Sequence, residues 1–366
     1  MGSLDSDAPW VIVRRVKNDG ERPHAGPVLL TGGTGFLGGQ ILRLLSERGQ
    51  AVRVLTRQPT QDLLALRASV YEGDLLPGPA ETDGSGTENK ALLAALDGVK
   101  TVYHLAGLVS RDPARGAQMM RLHVEGTRQL LQACQRARVR RVLLASTSGT
   151  MAIRREPTPI ADETGPYPLD LCGGWPYYLS KIYQEKLALD LAPKLGLELV
   201  VVNPSLLLGP GDRRGSSTLD VRRFLCGEIQ AIPPGGINFV DVRDVAPACI
   251  AAMERGRNGQ RYLLGGPNWT FAEFFGRLSR VARVDGPWLK LPSRWKDLFT
   301  TAVQAVDELY RHQGKTAPIE RVSFEMGQHY WYCDSSLAGR ELGFACREPS
   351  ETLDDTVRDL RKFLRY

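Results

Sequence analysis

Directly after the short apolar run Pro27–Thr31, the chain reads Thr-Gly-Gly-Thr-Gly-Phe-Leu-Gly over residues 31–38 and passes into a Leu-rich helical stretch. This junction restricts the fold more than any other feature of the sequence. Gly32, Gly35 and Gly38 give the spacing G-x-x-G-x-x-G. Glycine tolerates positive φ in a tight strand-to-helix turn and lets the backbone come close to a pyrophosphate. The helix start then points free N–H groups and a positive dipole end at that anion. A glycine triplet alone is weak evidence, but a strand before it and a helix after it are the context the motif needs. The segment Gly32, Thr34, Gly35, Phe36, Leu37 and Gly38 is therefore predicted to cradle the phosphates of a dinucleotide.

From this point apolar runs alternate with helical patterns. Strands are predicted at Val28–Leu30, Ala51–Leu55, Ser69–Glu72, Thr101–Leu105, Arg141–Ala145, Leu197–Asn203 and Asn238–Val240. Helices are predicted at Leu37–Glu47, Asn89–Leu96, Ala117–Arg136 and Tyr178–Leu195. The third helix carries apolar residues at the helical period, Met120, Val124, Leu131 and Cys134. This alternation predicts an α/β fold: a Rossmann-type doubly wound parallel sheet with a smaller C-terminal substrate-binding lobe. A chain of 366 residues has room for both. The predicted division is an N-terminal extension 1–26, a nucleotide-binding domain 27–205 to which 237–261 returns, and a lobe from 206–236 and 262–366. Residues 77–89 read as a surface loop, with turn formers and no apolar anchor.

The second predicted strand ends at Thr56-Arg57-Gln58-Pro59. A carboxylate at Arg57 would grip the ribose hydroxyls of NAD, whereas a guanidinium suits the 2′-phosphate of NADP. The reading favours NADP, with NAD as the alternative. Further on, Ala145-Ser-Thr-Ser-Gly149 follows a strand, and Tyr177 and Lys181 stand one helical turn apart. An ammonium beside a phenol lowers its pKa from about 10 toward neutrality, which would make Tyr177 a general acid for a carbonyl or a base for an alcohol. A hydroxyl from the 145–149 loop would hydrogen-bond the same substrate oxygen.

Taken in order, these segments resemble the extended branch of the short-chain dehydrogenase/reductases. The resemblance spans roughly residues 27–345. It rests on the glycine motif, Gly73-Asp74-Leu75, His104-Leu-Ala-Gly107, Val124-Glu-Gly-Thr127, the 145–149 loop and Tyr177-Tyr-Leu-Ser-Lys181. It continues through Asn203-Pro-Ser205, Gly209-Pro-Gly211 and Phe239-Val-Asp-Val-Arg-Asp-Val-Ala246. The resemblance implies Thr147, Tyr177 and Lys181 as catalytic residues, with Ser146 and Ser148 as secondary bearers of the hydroxyl role. It implies Asp74 and Leu75 at the adenine, Ala106 and Gly107 along the cofactor, and Pro204 and Ser205 beside the nicotinamide, with Lys181 also holding the ribose. His123 replaces the family's usual Asn before V-x-G-T.

Sugar-modifying members carry an Arg-Asp pair where this chain has Ile237 and Asn238. The segment instead resembles dihydroflavonol-4-reductase-like and 3β-hydroxysteroid-dehydrogenase-like members. This implies an oxidoreductase reducing a ketone or aldehyde of a hydrophobic small molecule, or oxidising the alcohol. Alternatives are a sugar epimerase or dehydratase using NAD, and a non-catalytic NADP-binding regulatory or scaffold protein. Trp175, Trp269, Trp288, Trp295 and Trp331 could wall an apolar pocket or pack a small core.

Lys and Arg outnumber Asp and Glu by 47 to 41, and 37 of those cations are Arg. Basic pairs at 154–155, 213–214 and 222–223 flank the expected substrate entrance, where they could attract an anion or serve only as surface charge. No basic stripe interleaved with aromatics supports nucleic-acid binding. The six cysteines are scattered, without metal-ligand spacing, so reduced thiols and no metal are expected. The longest apolar runs fall short of the ~18 residues of a spanning helix, which argues against stable membrane insertion. The amphipathic segment 288–310 reads as a lid or packing helix, with insertion into a membrane interface as the alternative. The start of the chain is acidic before it is apolar, the wrong order for a secretory signal, though Gly2 and Ser6 loosely fit an N-myristoylation pattern. A cytoplasmic location is expected, and the resemblance implies a homodimer built on helices 117–136 and 178–195.

Overall fold

The computed structural model describes residues 26–76, 89–291, Tyr310 and 321–364. The expected extension, the loop 77–88 and most of segment 288–310, Trp295 included, lie outside the described residues. The apolar runs fold as β1 (Val28–Thr31), β2 (Val52–Thr56), β3 (Ser69–Glu72), β4 (Thr101–His104), β5 (Arg141–Ala145) and β6 (Glu198–Pro204). Three short strands follow, β7 (Leu206–Leu208), β8 (Ala231–Ile232) and β9 (Gly236–Asp241). The last are β10 (Arg261–Leu264), β11 (Asn268–Thr270) and β12 (Leu289–Lys290). Between them lie α1 (Phe36–Glu47), α2 (Gln61–Ala65), α3 (Lys90–Leu96), α4 (Gly116–Met120), α5 (Gly126–Arg136), α6 (Leu169–Cys172) and α7 (Pro176–Lys194). They are followed by α8 (Leu219–Leu225), α9 (Val242–Arg255) and α10 (Phe271–Ala282).

The main sheet is a seven-stranded parallel sheet in the order β10-β6-β5-β4-β1-β2-β3. Its central strands β1, β4, β5 and β6 are buried almost throughout, which is why they read as continuous apolar runs rather than alternating ones. All four residues of β1 are buried. One face is covered by α1 and α9, through Ile41, Leu42 and Leu45 against Val245, Ala246 and Cys249. The other is covered by α3, α5 and α7, through Leu92, Leu96, Leu130, Leu131, Ala188 and Ala192. Each such Leu or Ile contributes roughly 1.5–3 kcal/mol on burial. The strand order reverses between β1 and β4, so the ligand crevice of a doubly wound sheet opens above those two strands.

Two placements differ from expectation. Residues 262–264 were expected in the second lobe but form the edge of the main sheet, β10 pairing with β6. Strand β9 was expected to return to the main sheet but instead joins β7 and β11 in a three-stranded sheet. Only α9 of that stretch comes back, its apolar face packed on α1. Of these two segments β9 alone was expected as a strand, and its short apolar run does not show which sheet it joins. The second lobe has a core of its own: Phe239, Phe274, Phe275 and Leu278 pack on Leu353 and Val357 of the final helix, Pro349–Arg361. Strand β8 pairs with β12 alongside it.

Candidate active site

Thr31 ends β1 and Gly32 turns the chain with φ of +77°. A Cβ at Gly32 would stand 2.6 Å from the Leu105 carbonyl carbon, so the loop after β4 abuts the turn directly. At Gly38 a Cβ would come 2.1 Å from the Gly32 oxygen, so α1 can start this close to β1 only with glycine there. Gly35 is the N-cap of α1 and has no side chain to satisfy the first-turn N–H groups of Phe36, Leu37 and Gly38. Backbone donors and the helix dipole therefore face the crevice, the arrangement that suits a phosphate. Thr34 is half-buried within the turn.

Arg57 leaves the end of β2 and Asp74 follows β3, with Arg57 Nε 3.8 Å from Asp74 Oδ2. Arg57 is largely exposed and Asp74 partly so, which leaves both open to a ligand. Leu75 is buried against α3 and α5. Ala106 donates its N–H to Thr31 Oγ1 at 3.3 Å, joining the loop after β4 to the glycine turn. Gly107 is hemmed by His123 and Lys181, whose Nε2 and Nζ would lie 3.2 and 3.8 Å from a Cβ there.

Tyr177 and Lys181 face this loop from the first turns of α7, a helix opened by Pro176. The Lys181 ammonium donates to the Ala145 carbonyl at 2.9 Å and to Gln184 Oε1 at 2.8 Å, tying α7 to the end of β5 two residues before Thr147. The Thr147 carbonyl accepts from Asn203 Nδ2, and its hydroxyl caps the following turn by accepting from Gly149 N. Lys181 thus reaches the end of β5 beside the Thr147 loop, and the Tyr177 ring lies edge-on to His123 at 6.1 Å. Burial pushes Lys181 down to about 8, partly opposed by the Glu185 carboxylate. Burial also raises the half-buried Tyr177 phenol above its ordinary value, with Tyr178 adding to the rise. The expected lowering of Tyr177 by Lys181 is therefore absent in the free protein. The ammonium is turned toward Ala145 and Gln184, and loss of hydration governs the phenol.

Three buried oxygens near the ends of β5 and β6, Ser146 Oγ, Asn203 Oδ1 and Ser205 Oγ, have no hydrogen-bond partner among the described residues. Such groups are rare in folded proteins. Together with the uncapped first turn of α1, they fit a polar ligand lying along the crevice from the glycine turn to Pro204-Ser205. A nicotinamide dinucleotide has that length and polarity, so the residues present suit the group.

Two buried side chains beside the candidate site, His123 and Glu185, were given no role from sequence. The expected helix 117–136 is broken by a π-helical turn at Arg121–Glu125, and His123 sits fully buried within it. His123 Nε2 accepts from Leu108 N–H at 3.0 Å, and Nδ1 lies 2.8 Å from Ser180 Oγ. Ser180 in turn donates to the Tyr177 carbonyl at 2.7 Å. Burial and the nearby Lys181 charge hold His123 far below its ordinary pKa, so it is a neutral pin between cofactor loop and α7. The replacement of Asn by His at this position was the only signal of it. Glu185, one turn beyond Lys181, is fully buried and accepts from Thr150 Oγ1, Asn203 Nδ2 and Tyr167 Oη, with Arg261 at 3.3 Å.

The aromatic residues divide. Trp175 and Trp331 stack at 5.8 Å, with Tyr178 5.0 Å from Trp331, and form a core between α7 and the second lobe. Trp269 packs on Phe239, whereas Trp288 is 77% exposed. Ile237 is partly buried against the lobe core, and the buried Asn238 donates to the Gly266 carbonyl and Asn268 Oδ1. The basic pairs are largely engaged: Arg154 with backbone carbonyls, Arg155 with Asp170, Arg223 with Glu228, Arg213 with Asp62, and Arg214 with Thr34. Among the described residues, no helix is long and apolar enough to cross a membrane.

A dinucleotide cradle at a switch point, with a Tyr/Lys helix beside it, defines a nicotinamide-dependent oxidoreductase of the extended short-chain dehydrogenase/reductase type. Residues 28–265 match the NAD dependent epimerase/dehydratase family, and the chain belongs to it. Relatives include sterol demethylase protein B of Methylococcus capsulatus, 32% identical over 91% of this chain and 98% of its own. Cinnamoyl-CoA reductase 1 of rice is 34% identical over 67% and 72%. Dihydroflavonol 4-reductase of barley is 32% identical over 51% and 54%. These names agree with the reductase branch that the motifs resemble. The solved structure of gox2253 superimposes with a TM-score of 0.76 at 30% identity, covering 93% of this chain and 99% of that one.

Proposed function

We propose that this protein is an NADPH-dependent reductase of a ketone or aldehyde on a hydrophobic small molecule, with Tyr177 as the acid. The observation that carries the cofactor choice is Arg57, a guanidinium at the end of β2 where an NAD enzyme needs a carboxylate. Bound in the crevice, the reduced nicotinamide would supply the hydride. Tyr177, proton-loaded because burial holds its phenol neutral, would give its proton to the developing alkoxide. Thr147 would donate a hydrogen bond to the same oxygen. Lys181, fastened to Ala145, would hold the ribose and set the distance between α7 and the Thr147 loop. An apolar substrate is favoured by Ile237 and Asn238, which turn inward where sugar enzymes keep a cation for a diphosphate. The names of the sterol and flavonoid relatives point the same way, and that of the cinnamoyl-CoA reductase leaves room for a thioester carrier. The partly exposed apolar stripe Leu179, Tyr183, Leu187 and Leu191 on α7 is the face on which a homodimer would form.

Two variants test the reading. Tyr177→Phe should lower kcat by ~10²–10⁴ with NADPH affinity kept; retained turnover would refute the acid. Arg57→Ala should weaken NADPH by about 10- to 100-fold and leave NADH unchanged. Equal losses would remove the 2′-phosphate argument.

A further inference from the structure

The loop between β7 and α8 belongs to the second lobe yet ends on the glycine turn. It leaves β7 through Gly209 and Gly211, both with positive φ (+112° and +102°). Its backbone is fastened to the final helix, where Gly209 N–H donates to Thr356 Oγ1 and Gly211 N–H to Asp359 Oδ2, each at 2.7 Å. Asp212, 9% exposed, then accepts from the N–H groups of Ser216, Ser217 and Thr218 and from the hydroxyls of Ser216 and Thr218. A loop held at its root and wrapped around one carboxylate keeps a defined shape. That shape carries two exposed arginines outward. Arg213 Nη1 pairs with Asp62 Oδ2 at 2.6 Å, on α2 just beyond Arg57. Arg214 Nη2 donates to Thr34 Oγ1 at 3.0 Å, inside the cradle.

The two contacts fall on the glycine turn that follows β1 and on α2 that follows β2. We propose that Gly209–Ser217 is a strap over the adenosine-diphosphate groove, in which Arg214 pairs with the diphosphate and the Arg213–Asp62 pair latches the strap. Thr34 Oγ1 is a neutral stand-in partner for a guanidinium that lies where backbone N–H groups await an anion. When that anion arrives, Arg214 has a charge-assisted partner within reach of its present position. The inference rests on the dinucleotide reading of the crevice and adds a ligand from the other lobe. Because the strap is rooted in the second lobe, cofactor binding would tie the two lobes together.

Binding of NADPH, NADH and ADP-ribose is measured by calorimetry on the wild-type chain and on Arg57→Ala, Arg213→Ala, Arg214→Ala and Arg214→Lys. Arg214→Ala should weaken all three ligands by a similar factor, about five- to twentyfold for an exposed guanidinium on a phosphate, with Arg214→Lys intermediate. Arg57→Ala should weaken NADPH alone. Arg213→Ala should mainly speed NADPH release in stopped-flow. Unfolding of the free variants should match wild type, since both arginines are exposed. The strap is refuted if Arg214→Ala leaves all three affinities within twofold, or weakens NADPH alone. If wild type binds none of the three, the dinucleotide reading fails and the strap with it.

Discussion

Lys181 is the most informative residue to perturb, because its burial makes a measurable demand on folding. Its side chain is 6% exposed and its pKa falls from 10.5 to about 8, chiefly through loss of hydration. In the unfolded chain it titrates at the ordinary value. Between about 8 and 10.5 the unfolded state therefore holds more protons than the folded one, so stability rises with pH across that window. Below about 8 the residue is charged in both states and the cost is constant. At about 1.36 kcal/mol per pH unit, the fall from 10.5 to about 8 amounts to roughly 3 kcal/mol. Lys181→Met removes the charge and keeps the length. The Ala145 carbonyl and the Gln184 amide oxygen lose their donor, a cost that does not depend on pH. Equilibrium urea unfolding of both chains without cofactor, from pH 7 to 10.5, isolates the effect, since the remaining titrations are shared. The wild type should gain roughly 3 kcal/mol on the variant above pH 8 and track it below. Parallel curves across the range would mean that Lys181 is not desolvated in the free protein.

Trp175→Ala should destabilise by ~3–5 kcal/mol in the same assay, because it empties the stack on Trp331. Trp288→Ala, at an exposed ring, should change stability by less than about 0.5 kcal/mol. If α7 carries the dimer face, Tyr183→Asp should convert a dimer to a monomer in analytical ultracentrifugation; a wild-type monomer would end that reading. His123→Asn cannot span both Leu108 N–H and Ser180 Oγ, so stability should fall by ~1–3 kcal/mol and kcat with it. The pH–rate profile between 5 and 9 should keep its shape, whereas a proton-carrying His123 would move its limbs.

Strands β1, β4, β5 and β6 were legible because burial on both faces writes them as short apolar runs. The cradle was legible because only glycine fits at Gly32 and Gly38, where backbone stands within 3 Å of a Cβ. Tyr177 and Lys181 were legible only in combination, as a pair arriving after the cradle and the Ser/Thr loop. Sheet membership of β9 was not, since a strand's period says nothing of its neighbour, and β10 was not expected as a strand. The direction of the Tyr177 shift was missed for a related reason: residue spacing brings an ammonium near a phenol, but hydration and the rival acceptors Ala145 and Gln184 decide what it does. The π turn around His123 and the Arg214 contact with Thr34 depend on packing between segments 15 and 180 residues apart in sequence.

These shifts share one cause, which bears on how the site works. His104, His123 and Tyr177 are all held neutral by burial, and Glu185 is matched by Arg261. Lys181 is left as the buried cation at the centre, with the exposed guanidinia of Arg57 and Arg214 at the mouth. On the proposed reading a phosphorylated dinucleotide would bring its charge to Arg57 and Arg214, while Lys181 would meet the uncharged ribose. The Arg-rich surplus of the whole chain thereby acquires a local meaning at two positions. Arg154, Arg155, Arg213 and Arg223, already engaged by carboxylates or carbonyls, have less to offer an incoming ligand. Salt should accordingly weaken cofactor binding through Arg57 and Arg214 and leave the affinity of a neutral substrate nearly untouched.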